Sequence, residues 1–111
     1  MYLVTFPAQS NRASWAFIGM ITDLEDNPID LTGLSLVFGI RDRCGHQIIT
    51  ASTDKGNLTI LDVGIFRWFI TLDEMKSLCL GTYQTGMTMA NDDQTVQVFV
   101  GPLPIVDGNV P

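Results

Sequence analysis

Charge is scarce in this sequence. Charged residues make up 16% of the 111 and hydrophobic residues 46%. That much apolar content excludes a disordered chain. It also leaves few charges for the solvent face. Two explanations stand: a β-rich domain wetted by Thr, Ser, Gln and Asn, or a surface partly covered in an assembly. The six basic residues, Arg12, Arg41, Arg43, Lys55, Arg67 and Lys76, are scattered, and twelve acidic residues bring the net charge to −6. No basic stripe follows a phosphate backbone, so no nucleic-acid partner is expected. An anionic membrane surface is disfavoured for the same reason.

Cysteine and histidine are nearly absent as well. Cys44 and Cys79 are too few for a disulfide framework. The spacing does not say whether they meet, and two free thiols are the simpler expectation. Three Cys and His residues in total fall short of a four-ligand zinc site. No apolar run is long enough to span a bilayer. The stretch MYLVTFPAQS lacks a basic segment and a long apolar core, so no signal peptide is expected and synthesis in the cytoplasm is.

Catalytic chemistry is equally thin. The one histidine, His46, lies two residues from Cys44 in the turn RCGHQ. A thiolate–imidazole pair is conceivable there, but an exposed turn histidine beside an incidental cysteine is the plainer expectation. Asp23, Glu25, Asp26 and Asp30 lack the glycine turn and terminal Glu of a calcium loop. Asp92 and Asp93 read as turn residues, and Asp73 and Glu74 as favoured residues at a helix start. No glycine-rich phosphate loop appears. The expectation is no catalytic residue, no cofactor and no metal.

What the chain does have is short apolar runs separated by turn signals, the mark of a β-sandwich or barrel in one domain. Strands are predicted over 2–6, 14–22, 34–42, 47–52, 58–61, 66–71, 82–90 and 95–100. Trp15, Phe17, Gly19 and Ile21 alternate with Ala16, Ile18 and Met20, so both faces of that strand are apolar. Leu34, Leu36, Phe38 and Ile40 should enter the core, as should Val96, Val98 and Val100. Trp15 and Trp68 keep phase with Phe17, Phe66 and Ile70. Core is therefore their expected place, rather than a sugar-stacking platform with Tyr83. One helical turn is predicted over 72–78, with Thr71 and Glu74 as a capping box and Ile70 with Met75 as a hydrophobic staple. The tail GPLPIVDGNVP reads as extended, free to pack on an edge or reach a neighbour.

Several motifs follow one another in order: DLTG at 30–33, LVFGIRD at 36–42 and DVGIFRW at 62–68, then TLDEMKSL at 71–78, LGTY at 80–83 and VFVGP at 98–102. This succession resembles small tailed-phage virion proteins with an immunoglobulin-like sandwich, among them the N-terminal domain of siphophage baseplate upper proteins. The resemblance implies an immunoglobulin-like antiparallel β-sandwich of about eight strands over 1–100, with an extended tail over 101–111. It implies a non-catalytic virion part, either a tail, baseplate or fibre adaptor or a capsid decoration. Its partners would be other virion proteins, in a homo-oligomer or multicopy assembly. The contacts are expected from Leu103, Pro104, Ile105, Val106 and Val110. The alternative is a carbohydrate-binding or adhesin module, which requires an exposed Trp or Tyr.

Overall fold

The computed structural model describes residues 2–106. They form an all-β sandwich. In chain order the strands are β1 (Tyr2–Leu3), β2 (Gln9–Ser10), β3 (Trp15–Met20), β4 (Ser35–Arg41), β5 (Gln47–Ser52), β6 (Leu58–Asp62) and β7 (Ile65–Ile70). A short helix α1 (Leu72–Met75) follows, then β8 (Gly81–Ala90) and β9 (Thr95–Val106). The larger sheet runs β1-β9-β8-β4-β5, with β2 also on β9; the smaller runs β3-β7-β6.

Period-two alternation puts one side of each strand into the space between the sheets. Leu36, Phe38 and Ile40 of β4 are fully buried, as predicted. So are Trp68 and Ile70 of β7, and Trp15 is 6% exposed. Phe38 and Trp68 bind the sheets face to face, with centroids 3.8 Å apart and planes 9° apart. Phe17 stacks on Trp68 at 4.5 Å. Phe6 makes T-shaped contacts with Trp15, Phe17, Phe38 and Phe99. The Trp68 Nε1 is buried and finds no acceptor among the described residues. Rings stacked on Trp68 fix its plane and keep it from turning toward one.

The capping box is present: the Glu74 amide donates to Thr71 Oγ1 at 3.3 Å, and the Thr71 amide to Glu74 Oε1 at 3.5 Å. Ile70 and Met75 are both fully buried, as the staple requires. The helix is shorter than the predicted 72–78. Its end tightens, with Ser77 donating to the Glu74 carbonyl and Leu78 to that of Met75.

Two parts of the sequence reading need correction. Residues 101–106 are extended, as expected, but do not leave the sandwich as a tail; they continue β9 without a break, and Gly101–Ile105 pair with Gly81–Thr85 of β8. The segment 9–10, expected as loop, pairs in parallel with Ile105 and Val106. Pro102 and Pro104 account for the broken N-terminal edge. The Val100 and Pro102 carbonyls accept from Val4 and Phe6, so that side of β9 faces the N-terminal segment. The prolines offer no N–H there, so between Leu3 and Gln9 the Val4 and Phe6 amides still bond to β9 but no continuous strand forms. The phase of β9 also changes within the strand. A register shift inserts Val98 between Gln97 and Phe99. Beyond that bulge Phe99, Leu103 and Ile105 face the core, and Val100 lines the outer face instead.

Candidate functional site

The outward face of the small sheet is unusually apolar. Register places Ala16 beside Phe69, Ile18 beside Arg67 and Met20 beside Ile65. Ile18 is 61% exposed, Met20 58% and Phe69 39%. Arg67 is the one charge among these six residues, its guanidinium lying over the Phe69 ring at 5.7 Å, and the exposed Asp62 of β6 continues the Met20–Ile65 row. Leu61 and Val63 are exposed on and just after β6. Neighbouring apolar side chains left in water on one face mark an interaction surface more than isolated ones do.

The strand that borders this face also differs from the other sheet edges. The β1/β2 edge is two short pieces separated by Pro7. A register shift leaves Ile48 as an extra residue in β5, and another leaves Leu61 extra in β6. Strand β3 pairs with β7 over six consecutive residues without a shift, and it holds no charge and no proline. It has none of the usual protections of an exposed edge. Beside it, between Leu3–Phe6 and Phe17–Thr22, opens a cleft of about 600 Å³.

The outer face of the large sheet is different in character. Gly39 and Gly86 lie opposite each other on β4 and β8 and form the floor of a hollow of about 340 Å³. Gln47 folds over Gly39, donating to the Ile49 carbonyl and accepting from Arg41 Nε at 3.1 Å. Gln97 donates to the Met87 and Phe99 carbonyls, which bracket the bulge. These amides are committed to holding the sheet, and the lining carries no aromatic ring.

The residues expected to make contacts divide. Leu103 and Ile105 are buried in the core, a correction forced by the continuation of β9. Pro104 is half-buried, and Val106 is exposed at the strand end. Val110 lies outside the described residues. Removing 101–111 would strip core side chains and one flank of β8, so its effect would report on folding, not docking.

The other candidates resolve into local structure. Asp42 Oδ1 accepts from the Cys44 and His46 amides, both at 2.9 Å, and Asp42 Oδ2 lies 3.2 Å from His46 Nδ1. The imidazole is thus partnered by a carboxylate and makes no hydrogen bond to the Cys44 thiol. The amide bond from His46 holds the Asp42 carboxyl below its usual range, with the imidazole and the Cys44 amide adding to it. Cys44 and Cys79 are both exposed free thiols. In the acidic loop, Asp23 caps the amides of Glu25 and Asn27, and Asp30 that of Thr32. Among the described residues no three of His, Cys, Asp and Glu converge as metal ligands. Neither tryptophan offers a face to solvent. The Tyr83 hydroxyl accepts from the Cys79 amide at 2.8 Å.

The sequence reading missed the outward face as a site, although its signal was present: β3 alternates between two apolar sets. Only the pairing of β3 at an edge shows that the second set is uncovered. No protein-family model matches the chain, and no curated protein matches it.

Proposed function

We propose that the chain is a non-catalytic docking domain of a tailed-phage virion, working by protein–protein contact. The observation that carries the docking part is the uncovered apolar face of β3 and β7 beside an unprotected edge. The virion part rests on the ordered motifs from DLTG to VFVGP. An immunoglobulin-like sandwich is the finer reading of the fold. The strand order supports it, with the first strand lying parallel on the last. So does Tyr83, near the start of β8, whose hydroxyl bonds back to the backbone at Cys79. The chain departs from antibody domains in having no disulfide between its sheets. The role is that of a tail, baseplate or fibre adaptor, or of a capsid decoration, present in several copies among other virion proteins.

Quantitative mass spectrometry of purified particles from the encoding phage tests this. The chain should appear at a fixed ratio to a major virion protein and persist through gradient purification. Its absence from particles, with the chain abundant in the lysate, would refute the virion reading.

A further inference from the structure

We infer that residues 2–10 form a releasable strap: the segment leaves β9 as one unit while the two sheets stay packed. The inference stands apart from the docking reading and concerns a single chain.

Half of the strap's ladder is missing by construction. In a parallel pair the bonds are slanted, so a residue donates to one neighbour and accepts from the residue two further along. Val4 donates to the Val100 carbonyl at 2.9 Å, and Phe6 to that of Pro102 at 3.4 Å. The return bonds would come from the amides of residues 102 and 104, and both are proline. Proline inside a strand belongs to a sheet edge. Strand β9 is therefore built as an edge on this side, and over Val4–Phe6 the strap lies against it by its donors alone. Register slips as well. Leu3 pairs with Val100 and Gln9 with Ile105, so the strap carries one residue more than the stretch of β9 it follows.

Side chains add one anchor. Of residues 3–10 only Phe6 is buried, and Leu3 is 83% exposed. The Phe6 ring meets Trp15, Phe17, Phe38, Trp68 and Phe99 at centroid distances of 5.4–6.4 Å. Those rings stand on β3, β4, β7 and β9 and hold one another without it. Phe38 and Phe17 both stack on Trp68, and Trp15 makes a T-shaped contact with Trp68 at 5.3 Å. The pivot is Asn11, whose amide donates to the Val106 carbonyl at 3.2 Å and whose Nδ2 donates to that of Leu78 at 3.1 Å. Release bares the edge of β9 and widens the cleft between Leu3–Phe6 and Phe17–Thr22 down to Phe66 and Phe99. The strap is thus a lid on the aromatic core.

Hydrogen exchange of the full chain, followed by NMR and corrected for intrinsic rates, tests this. The Val4 and Phe6 amides should share one opening, about 100-fold or more faster than that of the Phe38 and Ile40 amides of β4, a strand paired on both sides. Pro102→Ala and Pro104→Ala each restore an N–H on the strap side of β9. Each should slow Val4 and Phe6 about 2- to 12-fold relative to Phe38. Phe6→Ala should leave the Val4 amide nearly unprotected. It should speed Phe38 by no more than the protection factor of the wild-type strap, because the open form is still folded. Val4 and Phe6 exchanging in step with Phe38 and Ile40 in the wild type overturns the inference. So do proline variants that leave that ratio unchanged, or a Phe6→Ala chain whose Phe38 loses protection beyond that limit.

Discussion

Replacing Phe38 with Ala removes the ring that joins the two sheets at their centre. Phe38 is fully buried, stacks on Trp68 at 3.8 Å, and meets Trp15 and Phe99 at about 6 Å. A buried Phe→Ala change costs about 3–5 kcal/mol, combining lost transfer energy with a residual cavity. The domain as a whole holds about 5–15 kcal/mol. The variant should therefore lose about a fifth or more of its stability, and its melting point should fall by roughly 12–20 °C. Phe38→Leu separates stacking from volume: it fills most of the space and forfeits the ring pair, worth about 0.5–1.5 kcal/mol beyond burial. Urea unfolding followed by circular dichroism measures both variants, and an unchanged slope with denaturant would confirm that the same surface is exposed. A loss below about 1 kcal/mol for Phe38→Ala would refute the packing described here, because a core that forgives its central ring is not closed around it.

Three further perturbations probe other parts of the fold. Gly101→Ala sets a Cβ against the Val4 carbonyl oxygen; it should cost about 1–3 kcal/mol and speed hydrogen exchange at the Val4 and Phe6 amides, and unchanged exchange would refute the close approach. Tyr83→Phe should cost about 0.5–1.5 kcal/mol by removing the acceptor of the Cys79 amide, and thermal melts that superimpose on the wild type would contradict it. Asp42 should titrate below the ordinary aspartate range by NMR. Because its folded value is lowered, its stabilising effect is full above the ordinary carboxylate value and fades as pH falls through the folded one. The stability gap between wild type and Asp42→Ala should therefore close in strong acid, and a gap that persists there would count against the carboxylate–amide bonds.

Alternation carried most of the fold. Leu36, Phe38 and Ile40 sit in a strand buried on one face, and their spacing alone places them in the core. The capped turn was legible because Thr71 and Glu74 satisfy each other locally. The errors arose where a distant partner overrides local preference. Residues 101–106 read as an extended tail beyond the sandwich, yet β8 pairs Pro102, Leu103 and Pro104, and the missing N–H groups face the N-terminal segment. The bulge at Val98 reverses the phase of β9, and nothing in the valine pattern announces it. Gln9 and Ser10 are polar and unpatterned; they become strand only because the end of β9 lies beside them. The outward apolar face was half legible. Ile18 and Met20 stood out as apolar on the wrong side of a strand, but Phe69 and Arg67 join them only through cross-strand register.

The sharpest test of docking through this face is incorporation of an Ile65→Ser, Phe69→Ser variant into particles, competed against the wild type. Both residues lie on β7, away from the β3 edge, and both point outward. Docking through the apolar face predicts a folded variant, with wild-type tryptophan emission, that is excluded from particles at least tenfold. Incorporation equal to wild type would contradict it.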